Sequence, residues 1–391
     1  MDPEERELRD AVLGLDKQQR QYVLYLHRNQ KFGPLLNLAS KESSFITELL
    51  WDEMKEEKVY SCVGDLEIRK DLFHDLMKMN KQHNLAIKLN AAVFAIFMVA
   101  PINSLKASLQ NHIRLNNQAE IQSFVGQCSN TARFSIQACM SASAGITHIR
   151  TPSLASSQGS GRSADASKLC KQRDSEMCVI TGMPHPEACY IFPFAGSKRS
   201  KTYNILSALR AFWGDEIANR ISALIQNRDV TESPENLISL NRQIHYWFDN
   251  GFMALKPLRK NPDGSVDVQL HWLRQSSLKP SDLILQSHAI ENWTISAGID
   301  SQCWGEIRAH RFSGLRLRTG QVFTLRPRDR PKAEAPNFDL LLLSWDLLRV
   351  GAISGAAEIA DLSIVDSDDD DDYCGISEQE EMDHENDYSQ V

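Results

Sequence analysis

The chain has 391 residues, enough for two or three domains, and its 42% hydrophobic and 24% charged residues are typical of a globular protein. The formal charge of −8 is uneven, because residues 366–391 hold twelve acids and no Lys or Arg, which leaves a mildly basic +4 on the rest. No CxxC pair occurs among the eight cysteines, which excludes the usual structural zinc motifs, and the most apolar run, 91–100, is too short to cross a bilayer.

The N-terminal residues 1–140 are predicted to form a helical accessory domain. They are rich in helix formers, and apolar residues recur at helical spacing. Helices are expected near 43–57, 65–79, 84–99 and 104–126. Nothing in this region signals chemistry, so it is interpreted as a packing scaffold. Residues 141–170 begin with a Ser/Gly/Ala-rich stretch without apolar periodicity and are predicted to be a flexible linker.

Residues 171–260 alternate short apolar runs with turn signals. The elements expected here are a strand at Cys178–Ile180, a turn at Gly182, a strand at Ala188–Phe192, a helical insertion over about 202–227, a short strand in SPENLISLN, a helix from Arg242 to Phe248 and a strand in FMALKPL. Asn241 could cap the start of this helix, and the pair Asn250–Gly251 is expected to end it, because glycine accepts the left-handed conformation found there.

Residues 261–350 are predicted to form strands and hairpins that pack on the preceding region and end in a helix near 338–350. Eight basic residues and one acid lie between Arg308 and Lys332. Arg316 and Arg318 would share one face of a hairpin, and with Arg326 and Arg328 they could contact nucleic-acid phosphates. A solvated hairpin surface without a ligand is an equally good interpretation.

The acidic segment 351–391 is predicted to be disordered, since it has too few apolar residues to form a core. It would serve as a solubilising tail, recruit a protein partner or compete with polyanions for a basic surface. No signal peptide or transmembrane segment is evident, and the scattered cysteines are typical of reduced thiols. The expected location is therefore cytoplasmic or nuclear, without a membrane partner.

Three stretches, CVITG, ACYIFPF and ENLISLNRQIHYWFDNGFMALKP, together resemble the HNH endonuclease family, and most closely its fungal branch with a helical insertion inside the motif. The resemblance covers about residues 171–260. It implies an α+β protein in which a ββα-metal module follows the helical N-terminal region and precedes the β-rich C-terminal extension. It also implies a phosphodiester hydrolase with a divalent cation, which could be Mg²⁺, Mn²⁺, Ni²⁺ or Zn²⁺.

The resemblance assigns roles to four residues of this chain. His245 would bind the metal, although a half-exposed helical histidine without a ligand is the alternative. Asp249, four residues later on the same helix face, would bind the metal, orient His245 or simply end the helix. Asn236 matches the asparagine that fixes the hairpin loop. Tyr190 stands where the family has its general-base histidine, so its side chain is expected to face His245 across a gap the size of a hydrated cation.

Tyr190 is the important departure from the family pattern. A free phenol has a pKa near 10, so about 0.1% would be ionised at neutral pH, whereas a general base works best near the ambient pH. His185, in the turn MPHPE, is the obvious substitute, although a surface turn histidine is the simpler interpretation. Cys189 is interpreted as a small buried residue, and Glu187, on the same strand face as Cys189, could reach a metal.

Two functions follow from these observations. The first is a metal-dependent nuclease acting on nucleic acid, on DNA rather than RNA. The second is a catalytically impaired module of the same fold that binds nucleic acid or protein. A third reading, independent of the resemblance, is a helical scaffold whose acidic tail recruits a partner.

Overall fold

The structure is a computed structural model that describes residues 61–85, 87–115, 117–126, 164–192, 199–284, 289–299, 309–328 and 334–356. The helix predicted near 43–57, the Ser/Gly-rich part of the linker and residues 357–391 of the acidic tail lie outside these ranges. Residues 351–356, predicted to begin the disordered tail, are instead buried, because 351–354 continue the last helix of the described chain. Within the described ranges, helices combine with two small antiparallel sheets, so the protein is of the α+β class.

Three consecutive helices open the described part of the chain: α1 (Leu66–Gln82), α2 (Ala91–Val99) and α3 (Ile102–Leu115), followed by a helical segment at 118–126. Helix α2 is apolar all round and every one of its residues is buried. The helix predicted over 84–99 was therefore seven residues too long at its start. Asn90 explains the boundary, because its side chain accepts a hydrogen bond from the backbone N–H of Val93 and caps the first turn.

The central region contains a two-stranded sheet interrupted by helices. Its elements are α4 (Ala164–Arg173), β1 (Glu187–Tyr190), α5 (Arg199–Ala208), a π-helical turn (Leu209–Trp213), α6 (Asp215–Ile225), α7 (Arg228–Thr231), a 3₁₀ turn (Pro234–Asn236), β2 (Leu237–Leu240) and α8 (Arg242–Asp249). Strand β1 pairs antiparallel with β2 across the predicted helical insertion. Residues 164–170, predicted to end the linker, instead belong to α4.

The strand predicted at Cys178–Ile180 is wrong. Cys178 begins a tight turn in which its carbonyl accepts the backbone N–H of Gly182, whose φ is +70°. An isolated antiparallel bridge between Met177 and Pro184 also holds the two ends of this turn together. Proline cannot donate to a strand ladder, so the segment from Met183 to Pro186 does not extend into a hairpin arm. The partner of β1 is β2 instead.

The C-terminal part forms a second sheet, of strand order β3-β4-β5, from β3 (Met253–Lys260), β4 (Val266–Trp272) and β5 (Val322–Leu325). Helix α9 (Ala289–Ser296) lies between β4 and β5 in sequence, and α10 (Phe338–Ser354) closes the described chain. Helix α10 packs on both α2 and β3, and one continuous hydrophobic core runs from Val63 to Ala356.

A buried polar cluster joins the N-terminal helices to α10. Arg349 pairs with Asp346, which also accepts a 2.8 Å hydrogen bond from the indole of Trp213 in the insertion. Arg349 further donates to the carbonyl of Cys62, and Arg69 donates to the carbonyls of Phe97 and Ala100. Burial and the nearby Arg349 lower the pKa of Arg69 to about 10. These bonds satisfy charges that would be costly to bury alone.

Among the described residues, no single helix has the length and apolar character needed to cross a membrane. The segments Ala91–Val99 and Ile102–His112 meet the criteria only as a pair, with a bend of 119° between them.

Candidate functional site

The pairing of β1 with β2 determines which side chains face α8. Glu187 lies opposite Leu240 and Cys189 opposite Ile238 in the antiparallel register. Because side chains alternate along a strand, Glu187 and Cys189 project from the same face of β1. Helix α8 packs on both strands, and the side chains of these two residues contact it.

The start of α8 is fixed by Asn241. Its side-chain oxygen accepts the backbone N–H of Ile244 at 2.8 Å, which is a conventional N-cap, as the sequence predicts. Its amide group donates to the hydroxyl of Thr181 at 3.0 Å. The cap therefore ties the helix to the turn that begins at Cys178. At the other end, Gly251 has a φ of +68°, the conformation that the predicted Asn250–Gly251 ending requires.

His245 lies between two carboxylates. Its Nδ1 is 2.8 Å from Oε2 of Glu187, and its Nε2 is 3.1 Å from Oδ2 of Asp249. The side chain is only 15% exposed. Burial by itself would lower the pKa of His245, but the hydrogen bonds and charges of Asp249 and Glu187 outweigh it, so the pKa is raised above 6.5. The imidazole is thus held in place through both ring nitrogens.

Cys189 completes a group of donor atoms around Asp249. Its Sγ is 3.6 Å from Oδ1 of Asp249, and the residue is fully buried, in agreement with the sequence interpretation. One donor atom each from Cys189, His245 and Asp249 lie within 4.8 Å of one another. Burial, and then the neighbouring Asp249, raise the pKa of the thiol well above 9.0. A proton would therefore leave this thiol on metal binding.

These donors fit a small divalent cation. Metal–ligand bonds of about 2.0–2.3 Å place donors roughly 3–4 Å apart around a common centre, close to the spacing present here. A histidine that binds metal through Nε2 commonly donates Nδ1–H to a carboxylate, and Glu187 occupies that position. The sequence predicts His245 and Asp249 as ligands, and it indicates Glu187 only as a group able to reach a metal.

Asn236 is fully buried and uses its whole amide group. Its oxygen accepts the backbone N–H of Phe192 at 2.8 Å, and its nitrogen donates to the carbonyls of Phe192 and Thr231, both at 3.0 Å. Asn236 therefore ties the end of β1 to the turn that precedes β2, the task expected for the central asparagine of the motif.

Tyr190 lies on the other face of β1. Alternation directs its side chain away from Cys189, and it packs with Ala188 against a small cluster of Ala166, Cys170 and Leu237. Its hydroxyl is 3.4 Å from Oε2 of Glu232. The carboxylates placed at His245 are those of Glu187 and Asp249. The phenol of Tyr190 lies on the opposite face of β1, so it does not face His245 across a cation site.

Sequence reasoning missed a buried ion pair beneath the sheet. Arg173 at the end of α4 pairs with Asp174 at 2.7 Å and donates to the carbonyls of Pro234 and Leu237, each at 2.8 Å. Asp174 accepts the backbone N–H of Ser239 in β2 at 3.0 Å. The run KQRD carries no spacing that distinguishes it from a solvated helix end, so no local signal could have identified it.

Of the predicted phosphate-contacting arginines, Arg316 and Arg318 lie on the loop that leads into β5, and Arg326 and Arg328 follow that strand. Arg316, Arg318, Arg326 and Arg328 are exposed. Arg328 donates to the carbonyl of Gln172 and to the hydroxyl of Ser175, next to α4. Arg316 bridges to His310 across a tight loop, and the backbone of that loop is bonded to Thr181. Part of the basic surface therefore adjoins the segment that caps α8.

The β1–β2 sheet and helix α8, which together carry the clustered donor atoms, lie in a part of the chain that matches a known family. Residues 178–256 match a family described as HNH endonuclease. This part of the chain is an HNH endonuclease-family domain, and it spans about a fifth of the sequence. The searches of curated proteins and of solved structures return no match.

Replacing Asn236 with alanine is expected to destabilise the domain. The change would leave the buried N–H of Phe192 and two carbonyls without partners, at a cost on the order of 1–3 kcal/mol for each group. Chemical denaturation with a fluorescence readout measures the loss. Asn250→Ala is the control, because its amide makes an exposed hydrogen bond at the end of α8. Equal stability of the two variants would contradict the structural role of Asn236.

Proposed function

We propose that this protein is a metal-dependent endonuclease that hydrolyses phosphodiester bonds in nucleic acid. The observation that carries the proposal is the position of His245 between Asp249 and Glu187, with the thiol of Cys189 beside it. A cluster of three ligand types in a domain of the HNH endonuclease family is best explained by a cation site.

His245, Asp249 and Cys189 would hold the cation, and Glu187 would keep the imidazole in the tautomer that leaves Nε2 available. A divalent cation at this place neutralises charge on the scissile phosphate and stabilises the leaving oxygen. The role of these residues would be to bind the cation and to fix its position. Asn241 fixes the first turn of α8, and the β1–β2 pairing fixes the two side chains opposite it.

The donor set favours a softer metal than Mg²⁺. A thiolate is a poor ligand for Mg²⁺ and a good one for Zn²⁺, whereas imidazole suits Zn²⁺ and Ni²⁺ and carboxylate suits them all. Cys189 is deeply buried, so it would enter the coordination sphere without competition from water. We propose Zn²⁺ or Ni²⁺ ahead of Mn²⁺ and Mg²⁺ as the cation of this site.

The decisive experiment compares wild type with His245→Ala on plasmid DNA and single-stranded DNA and RNA substrates in each of the four metals. We expect cleavage by wild type, strongest with Zn²⁺ or Ni²⁺, and none by the variant. Loss of a ligand should reduce metal affinity by more than the roughly 10–100-fold typical of an outer-sphere partner. Calorimetric titration of the metal checks this value.

His74→Ala, in α1, is the matched control, because it removes a partly buried histidine from another region of the chain. Circular dichroism should show that both variants are folded. Undiminished metal binding and cleavage in folded His245→Ala would overturn the proposed site.

A second function is supported by one specific observation. Tyr190 stands at the motif position of the general base and its side chain packs on the face of β1 turned from Cys189. The domain would then bind metal and nucleic acid without efficient cleavage. Wild-type protein that binds both but does not cleave would favour this second function.

Tyr190→His tests whether position 190 is the base position. If the histidine position of the family is still usable, this variant should cleave faster than wild type, since an imidazole titrates near neutral pH and a general base contributes about 10²–10⁴-fold. Initial rates on a supercoiled plasmid measure the change. Tyr190→Phe is the control for disturbed packing against Cys170 and Leu237. A rate for Tyr190→His no greater than that of wild type would mean that position 190 is not the base position.

The exposed arginines of the C-terminal loop are proposed to contact phosphates. Arg316→Gln and Arg318→Gln should each weaken binding uniformly across sequences and reduce the slope of log K against log salt by about 0.9 for duplex DNA. Fluorescence anisotropy over a salt series measures this slope. Arg228→Gln, in the insertion, is the control. Unchanged slopes would favour the alternative interpretation, in which these arginines form a solvated hairpin surface without a ligand. We propose DNA ahead of RNA as the substrate.

A further inference from the structure

An exposed aromatic ring lies on a loop that is hydrogen-bonded to the segment next to the N-cap of α8. Phe312 is 63% exposed, an unusual state for a large apolar side chain. It belongs to the segment 309–318, AHRFSGLRLR, which contains a histidine, three arginines and no acid. We call these residues the 309–318 loop. The described part of the chain also exposes Met183 and Tyr246, the residue after His245, so apolar exposure recurs around this end of α8.

The loop is rigidly built, so the exposure of Phe312 is not that of a frayed segment. The backbone N–H of Gly314 donates to the carbonyl of Arg311 at 2.8 Å, and the N–H of Arg311 donates to Leu315 at 2.7 Å. The N–H of Leu317 donates to Ala309 at 2.9 Å, which closes the base of the loop. Gly314 has a φ of +83°, which allows the tight turn that presents Phe312.

The loop is also anchored to the segment that positions His245. The backbone N–H of Phe312 donates to the carbonyl of Thr181 at 2.7 Å, and the hydroxyl of Thr181 accepts the amide of Asn241, the N-cap of α8. One residue therefore separates the loop from the helix that carries the candidate metal ligands. The arginine neighbours differ in role: Arg311 lies over the ring of Phe323, 5.5 Å from its centre, whereas Arg316 and Arg318 are exposed.

We propose that Phe312 is a stacking platform for an unpaired base, so that the substrate of this site is single-stranded or locally opened nucleic acid. An aromatic face flanked by exposed cations is the combination that binds single strands, because bases stack on the ring while the arginines follow the backbone. A base paired inside a duplex has no free face for Phe312. The inference rests on the proposed nuclease function for its substrate class, but binding itself requires no cleavage.

The test measures binding of the full-length protein in EDTA, by fluorescence anisotropy, to a 12-nucleotide single strand and to a hairpin duplex. Phe312→Ala and Phe312→Leu should weaken single-strand binding by about 5- to 150-fold and leave duplex binding unchanged, since one stacked base contributes that much. Phe312→Trp should retain or strengthen single-strand binding. Ile295→Ala is the control, because Ile295 in α9 is equally exposed at 63%.

Each outcome decides one question. Full single-strand affinity in Phe312→Ala overturns the stacking role, as does affinity retained in Phe312→Leu, which would indicate an apolar contact such as a protein partner. Wild-type protein that binds both forms equally also overturns it. Stacking through Phe312 in a protein that cleaves nothing with any metal would leave this inference standing and reject the proposed nuclease function. Cleavage at a rate that Phe312→Ala does not change would support the proposed nuclease function and overturn the stacking role.

Discussion

The antiparallel pairing of β1 with β2 is the constraint on which the candidate site depends. The two strands are separated in sequence by a helical insertion, so local turn geometry does not set their register. Arg173 and Asp174 hold β2 from below through the carbonyl of Leu237 and the N–H of Ser239, and Asn236 holds the end of β1 through Phe192. A slip by one residue would turn Glu187 and Cys189 away from α8 and bring Ala188 and Tyr190 to it.

Given this register, the electrostatics of the site follow from two carboxylates, an imidazole and a thiol. Two carboxylates, Glu187 and Asp249, converge on one imidazole, and their charges outweigh the effect of burial on the pKa of His245. A cation bound here would replace the contact between Nε2 of His245 and Oδ2 of Asp249. The thiol of Cys189 is kept neutral by burial and by the same carboxylate. A metal held by these donors would compete with protons for them, so its affinity is expected to rise with pH.

The parts of the site that sequence predicted are those encoded locally. The helix from Arg242, its Asn241 cap and its Gly251 ending follow from adjacent residues, and so does the i, i+4 relation of His245 and Asp249. The prediction of a strand at Cys178–Ile180 was wrong because Gly182 and Pro184 impose a turn, which the apolar character of the preceding residues does not indicate. The face of Tyr190, the bond between Glu187 and His245, and the Arg173–Asp174 pair depend on long-range register, which composition and periodicity do not encode.

The region that matches the HNH endonuclease family does not contain everything that a nucleic acid would meet. It supplies His245, Asp249 and Cys189, whereas the 309–318 loop comes from beyond its end. The hydrogen bonds through Thr181 join the two, so the loop and the start of α8 form one surface. A substrate strand bound by Arg316 and Arg318 would thus be held in a fixed position relative to the candidate metal ligands, through backbone contacts rather than a flexible tether. Positioning of this kind raises the rate of a chemical step only when the bound geometry is already close to reactive. Under the proposed function, the fixed geometry of the loop would therefore contribute to catalysis as well as to affinity.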